Sequence, residues 1–340
     1  MSKIKSKFIK NAFFYGIGIS IISFIIYKIG IFEVYNVLKS ADIKIYLFAV
    51  LIYLLTLFAI SVRWNYLLGL NGYHAGFKNL VLLITMGQFI NNVTPSMKGG
   101  SEPFRAYYLS KLENIPYHVS FSTVVIERLL DSVVFLMLTF FVIIYFTIKG
   151  MIYTGFFIIA WILVVFVTFG ILYIAMHKKL AFKITLRIAK IVTKFSSKKI
   201  DEKKINDTIK KFQESMLFFK ERKKGMINSL MLSIIWWFLD ILRIYTLFIA
   251  INTNLNFITV SSTYLVALLV GVLPTLPGGL GTSDTAMIAM YSFFNIPYSK
   301  AAAGTLLDRS ISYIFVTIVG SVAFKIIKKK SKNQNYEIEC

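Results

Sequence analysis

The sequence holds a single cysteine, Cys340 at its last position, which excludes a disulfide framework and any cysteine-based metal site. Histidine is nearly as scarce: His74, His118 and His177 have no ligand-like spacing. Charged residues make up 16% of the chain, against about 25% in an average soluble domain. No Walker motif, metal signature or catalytic triad occurs. No cofactor, metal or catalytic residue is therefore expected, and any energy source must be a gradient or mass action. What fills the chain instead is apolar, 57% of 340 residues. Runs such as 45–62, 135–147 and 156–176 approach the ~20 residues needed to cross a hydrocarbon layer about 30 Å thick. A soluble enzyme is excluded.

The net charge of +22 is concentrated in three patches. Residues 177–224 hold 16 basic against 5 acidic residues. Lys3, Lys5, Lys7 and Lys10 form a second patch, and Lys325, Lys328, Lys329, Lys330 and Lys332 a third. Each ends an apolar segment, the positive-inside pattern of a polytopic membrane protein. No recognition motif accompanies the charge, so nucleic acid is not an expected partner. The basic start lacks a small-residue cleavage site after Ile29 and reads as a retained first helix.

Clear spans are expected at 12–29, 45–62, 121–148, 151–176, 226–251 and 302–325. Within 177–224, Phe182, Leu186, Ala189, Val192 and Phe195 recur at three- and four-residue steps. That spacing gives a basic amphipathic helix suited to the headgroup region or to a docking partner. Residues 80–94 and 259–273 are apolar but too short to span comfortably. The first run breaks at Thr94-Pro95 and Gly99-Gly100, the second at Pro274, Pro277, Gly278, Gly279 and Gly281. Irregular backbone survives at membrane depth only under protein or water cover, so two re-entrant helical hairpins are expected. With both hairpins re-entrant, all three basic patches fall on the cytoplasmic side. Single crossings would put 177–224 outside.

An internal repeat supports this layout. Asn114-Ile115-Pro116-Tyr117 recurs as Asn295-Ile296-Pro297-Tyr298, and Glu127-Arg128 as Asp308-Arg309, both 181 residues on. Pro95 with Gly99-Gly100 matches Pro274 with Gly278-Gly279, and Arg63 matches Arg243. Three crossings separate the two hairpins, so the second copy is inverted. The expected fold is an all-α polytopic membrane protein of two inverted repeats, each with three spanning helices and one re-entrant hairpin. A single membrane domain covers 1–325, with repeat one at about 12–148 and repeat two at about 151–325, which includes the cytoplasmic segment 177–224. Residues 326–340 form a basic tail, and a multi-pass chain in the cell membrane has both termini cytoplasmic. Inverted repeats with broken helices are a transporter design.

Ionisable groups inside spans are functional candidates, because each costs roughly 2.5–3.5 kcal/mol at a helix centre on insertion scales. Glu127, Arg128 and Asp131 lie in 121–148, Asp308 and Arg309 in 302–325. Glu127 and Asp131, one turn apart, repel unless a cation sits between them. Arg128 and Arg309 are expected to flank the repeat interface and to meet an acidic partner or a lipid phosphate. Gly99, Gly100, Gly278, Gly279 and Gly281 let backbone N–H groups approach an anionic headgroup at a half-helix N-terminus, or simply let the hairpin reverse. Glu102 and Asp284 can cap the next helix, bind a cationic group or carry a proton. Arg63 and Arg243 read as snorkelling near span ends or as phosphate contacts, with Asp240 placed to pair with Arg243. Arg105 and Lys98 can attract headgroups, and Trp64, Trp236 and Trp237 read as an interfacial belt.

Arg63-Trp64, Thr94-Pro95, Gly99-Gly100-Ser101-Glu102, Arg105-Ala106, the block Pro274–Asp284 (PTLPGGLGTSD) and Arg309 resemble the membrane domain of the lysylphosphatidylglycerol synthase/flippase family. The resemblance covers roughly residues 10–325 and departs in Asp284, where glutamate is more typical. It implies a polytopic protein that moves an anionic or aminoacylated phospholipid, such as lysyl-phosphatidylglycerol, between leaflets. Relatives work in polyprenyl-linked glycosylation, and members that synthesise the aminoacyl lipid carry a large soluble C-terminal domain. Only 326–340 follow the last span here, so lysyltransferase chemistry is not expected of this chain. Two alternatives stand beside the flippase reading. One is a phosphatidylglycerol lysyltransferase or its membrane partner; the other is a polyprenyl-phosphate glycolipid carrier. The expected partners are an anionic membrane lipid, a separate synthase or glycosyltransferase chain, and a second copy of this chain.

Overall fold

A computed structural model describes residues 31–94, 100–151, 154–193, 202–271 and 280–338. The expected first span at 12–29 lies outside them. Among the described residues the chain is helical throughout its regular structure. In chain order the helices are α1 (Ile31–Lys39), α2 (Ile43–Leu70), α3 (Phe77–Val93), α4 (Glu102–Glu113) and α5 (Tyr117–Ile148). There follow α6 (Thr154–Met176), α7 (Lys178–Thr193), α8 (Glu202–Glu221), α9 (Lys223–Ala250), α10 (Phe257–Gly271) and α11 (Thr282–Phe293). The last span runs through α12 (Tyr298–Arg309), a π-helical turn at Ser310–Phe315 and α13 (Val316–Ile338).

Five segments are long and apolar enough to cross a membrane: Ile43–Leu70, Tyr117–Ile148, Thr154–Met176, Lys223–Ala250 and Tyr298–Lys332. They answer to the five described spans expected from sequence, and the protein is a multi-pass membrane protein. The second span is longer than expected. Asp42 starts it, its carboxylate accepting the N–H groups of Lys44 and Ile45. It continues past Arg63-Trp64 because both side chains are buried against protein rather than turned to the interface. The two short apolar segments break where the prolines and glycines are: α3 closes at Thr94 and α4 follows Ser101, while α10 ends at Gly271 and α11 follows Gly281.

Two antiparallel helix pairs organise the centre. In α2 and α9, Tyr66 meets Asn228, Arg63 meets Ser233, Tyr53 meets Arg243, and the Asp42 N–H donates to the Ala250 carbonyl. In α3 and the last span, Lys330 donates to Asn79 at 2.8 Å and Tyr313 to the Asn92 carbonyl at 3.1 Å. Gly320 brings these two backbones together, since a Cβ there would lie 2.7 Å from the Thr85 carbonyl oxygen. Small residues permit this kind of close approach in membranes. A π turn leaves carbonyls without their usual i+4 donors; the Asn92 amide donates to the Ser312 carbonyl at 3.2 Å. By contrast α6 is apolar all round and almost none of it is buried, as suits a lipid-facing helix.

Candidate functional site

The buried charges collect in two clusters along the α2/α9 pair. Arg63 lies seven residues before the end of α2, and Arg243 seven before the end of α9. The register places Arg63 level with Ser233, ten residues from Arg243. At 1.5 Å rise per residue the clusters sit about 15 Å apart in depth.

In the first cluster Arg63 grips Asp131 through both terminal nitrogens, one contact being Nη2–Oδ2 at 3.2 Å. It also lies 3.5 Å from Glu127 and donates to Ser233 at 2.6 Å. Arg105, from α4, holds Glu127 bidentately at 2.9 and 3.2 Å and stacks its guanidinium 4.3 Å from the Trp64 ring. Arg128 is 2.8 Å from Glu102 and 3.8 Å from Asp131. So the repulsion expected between Glu127 and Asp131 is resolved: Arg63 is the cation between them. Glu127 and Arg128, adjacent on α5, serve different partners because successive helical side chains point about 100° apart.

In the second cluster Arg243 donates to Asp240 at 3.0 and 3.3 Å and to Asp308 from its third nitrogen. Tyr264 of α10 donates to the other Asp240 oxygen at 2.5 Å, and Tyr53 of α2 lies under the Arg243 guanidinium at 5.6 Å. Arg309 donates to Asp284 at 2.5 Å and to Ser283 at 2.6 Å.

Two expectations are corrected. Arg63 and Arg243 do not snorkel: they are 1% and 2% exposed, held inside the bundle by carboxylates. Trp64 and Trp237 are not an interfacial belt but core, and the Trp64 indole N–H donates to Thr123 at 3.1 Å. Trp236 packs on the same core beside Arg63. At Gly281 (φ 84°), buried at the start of α11, the Asp284 carboxylate accepts the N–H at 2.8 Å, the capping role. Arg128 and Arg309 meet acidic partners, the first of the two alternatives. Gly100 is half-buried beside Ser101, whose N–H donates to Asn91 at 3.1 Å; Gly99, Gly278, Gly279 and Lys98 lie outside the described residues. Sequence reasoning missed Ser233, Tyr264, Ser283 and Tyr53. Ser283 adjoins Asp284, but Ser233, Tyr53 and Tyr264 lie seven or more residues from any cluster charge, so no local signal marked them.

A small cleft, with room for about one water molecule, adjoins the first cluster. Arg63, Arg105, Arg128, Glu127 and Asp131 line it together with Gln88, Asn91 and Ser101. Arg128 is the exposed member, with 36% of its side chain accessible. The chemistry on offer is recognition of a charged or zwitterionic group by guanidinium, carboxylate and amide.

The family of the lysylphosphatidylglycerol synthase TM region matches residues 11–320 of the chain. The chain belongs to this family. Among its relatives, a UPF0104 membrane protein of Methanocaldococcus jannaschii is 43% identical over 328 residues, 96% of this chain and 98% of that one. A UPF0104 membrane protein of Methanothermobacter thermautotrophicus is 30% identical over 321 residues, 92% and 94% of the two chains. Another, of Pyrococcus horikoshii, is 28% identical over 317 residues, 90% and 94%. The matched stretch spans both clusters described above.

Proposed function

We propose that this member of the lysylphosphatidylglycerol synthase TM-region family is a flippase-like lipid transporter. It carries an anionic or aminoacylated phospholipid headgroup between leaflets while the acyl chains trail in the bilayer. The observation that carries this reading is the pair of buried arginine–carboxylate clusters at two depths, one of them opening into a polar cleft. Charge buried in apolar spans is costly and marks a pathway by default.

The transporter reading includes an inverted repeat within one membrane domain at 1–325. Its support is geometric as well as sequential. α3 and α10 begin 180 residues apart, as do α4 and α11, and α5 and α12 begin 181 apart. Asn114 and Asn295 share a positive φ of 52° and 58°, and Pro116 and Pro297 start the next helices with the same φ −53°, ψ 135°. The turns after α2 and α9 repeat bond for bond: Tyr73 N–H to the Leu68 carbonyl, and Thr253 N–H to the Phe248 carbonyl. The α3–α4 and α10–α11 pairs are then the re-entrant hairpins. Both termini and the basic 177–224 segment face the cytoplasm, where α7 and α8 lie against anionic lipid.

Proteoliposomes test the reading directly. Reconstituted protein should move labelled phosphatidylglycerol or lysyl-phosphatidylglycerol between leaflets faster than empty vesicles, and Arg128→Ala or Arg309→Ala should slow it. No acceleration with either lipid or with a polyprenyl phosphate would sink it. Acceleration with the polyprenyl phosphate alone would reassign the cargo.

A further inference from the structure

The two hairpins start their second helices differently. At the start of α11 Asp284 accepts the Gly281 N–H at 2.8 Å, and Arg309 donates to the same carboxylate. That helix N-terminus carries its own anion, and the arginine beside it is committed to that anion. In the repeat register of 181, Pro103 of α4 stands opposite Asp284, so the first copy has no acid at the capping position. Ser101, the residue before α4, makes no side-chain cap bond. The first turn of a helix offers N–H groups and a partial positive charge to an anion.

Independently, the side chains beside this N-terminus are short of acceptors. Ser101 is fully buried and lines the cleft of the first cluster, and its hydroxyl has no hydrogen-bond partner. Arg105 lines the same cleft, and its Nε is likewise unpartnered. Both face Gly87: a Cβ there would lie 3.4 Å from Ser101 Oγ and 2.7 Å from Arg105 Cδ. Arg128, on the wall of the same cleft and 36% exposed, comes within 2.8 Å of Glu102. Yet neither Arg128 Nε nor either Glu102 oxygen makes a hydrogen bond. A buried donor without an acceptor is costly, and three such donors line one small space. Glu102 gives up no hydrogen bond when it leaves Arg128.

We propose that the N-terminus of α4 is an oxyanion subsite that takes one phosphate oxygen of a lipid headgroup, with Glu102 as its tethered competitor. This rests on the headgroup reading above and gives the phosphate to the first hairpin alone. Room for about one water is room for one such oxygen. Ser101 Oγ and Arg105 Nε donate to it. Arg128 turns from Glu102 to the outer oxygens, where its planar fork suits a phosphate, while Asp131 keeps Arg63. Pro103, Phe104 and Tyr107 form an exposed stripe along α4 from this end. Acyl chains can lie on that apolar stripe, which favours a lipid over free phosphate as the source.

Isothermal titration calorimetry on the full chain, in an uncharged detergent and a phosphate-free buffer, compares three probes. They are dihexanoyl-phosphatidylglycerol, dihexanoylglycerol and inorganic phosphate. The phosphatidylglycerol should saturate one site, and the glycerolipid without phosphate should not bind. Arg128→Gln should weaken binding by about tenfold or more, as loss of a hydrogen bond to a charged group implies. Gly87→Ala and Ser101→Ala should weaken it too, and Ser101→Ala removes only a hydroxyl that bonds nothing in the free protein. Glu102→Gln should tighten binding by removing the competitor, and Ser283→Ala, at the second hairpin, should leave it unchanged. Saturation by inorganic phosphate with no gain from the chains would overturn the lipid source. Unaltered affinity in Ser101→Ala and Arg128→Gln, weaker binding by Glu102→Gln, or an equal loss in Ser283→Ala overturns the subsite, whether or not the protein moves lipid. Binding in the expected order by a protein that moves no lipid sinks the transporter reading instead and leaves the subsite standing.

Discussion

The first cluster distributes its charge and the second concentrates it. Glu127 has two guanidiniums within reach, from Arg105 and Arg63, and Asp131 has Arg63 and Arg128. Asp240 and Asp308 share Arg243. The same frame, an arginine seven residues before the end of a long helix, therefore supports a redundant network at one depth and a hub at the other. Redundancy suits the cluster that opens to a cleft, where Arg128 can leave Asp131 to Arg63.

Removing the two central arginines should break this comparison most forcefully. Arg243→Ala takes the shared guanidinium from two buried acids at once, and truncating one partner of a buried ion pair costs about 3–5 kcal/mol. It should stand at the upper end of that range or fail to fold. Arg63→Ala leaves Glu127 with Arg105 and Asp131 with Arg128, and should stand at the lower end. Thermal unfolding in the same detergent compares the two. Equal losses would mean that the extra guanidiniums of the first cluster are not sharing the load.

Next come the glycines that let each cluster close. A Cβ on Gly304 would lie 2.5 Å from Phe248, itself fully buried and held by Tyr291. With no room to give, Gly304→Ala should cost about 1–3 kcal/mol, the usual range for overpacking. A Cβ on Gly87 would lie 2.7 Å from the Arg105 Cδ, part of a flexible stem beside the cleft. Gly87→Ala should cost less in Tm, while displacing Arg105 and disturbing the cleft. Phe248→Leu should rescue Gly304→Ala by vacating the space, and failure to rescue would show that the backbone itself is the obstacle.

Much of the scaffold was legible because apolar length and proline–glycine breaks are local signals. The five described spans and the two interrupted segments follow from them. The end of α2 was not, since Arg63-Trp64 has the composition of an interface and only the partners bury it. Those partners are Asp131, 68 residues away, and Ser233, 170 away. No periodicity reports a pairing across that separation. The acid–arginine pairs after each loop were visible as residues but not as pairs, and Asp284 was readable as a cap because capping is local. Tyr264 and Tyr291 were hidden among 19 tyrosines in an aromatic-rich chain. The repeat made Arg63 and Arg243 comparable at an offset of 180; past the glycine loops the offset is 181, which sets Ala286 opposite Arg105.

The smallest effect separates the outer pairs, Arg128 with Glu102 and Arg309 with Asp284. The Arg128 side chain is 36% exposed and that of Arg309 16%. Arg128 Nε approaches Glu102 to 2.8 Å without hydrogen-bond alignment, whereas Arg309 Nε donates to Asp284 and its Nη2 to Ser283. An exposed ion pair gains about 0.2–1 kcal/mol in double-mutant cycles, and this pair, 36% and 12% exposed and unaligned, lies nearer that limit than the Arg309 pair. The cycle Glu102→Gln with Arg128→Gln should fall in that range. The cycle Asp284→Asn with Arg309→Gln should exceed it, by the ~1.5–3 kcal/mol typical of a hydrogen bond to a charged group. A loosely coupled Arg128 is free to exchange Glu102 for a ligand anion at the mouth of the cleft. Coupling energies in the reverse order would place the readily opened contact in the second cluster and move the entry of a headgroup there.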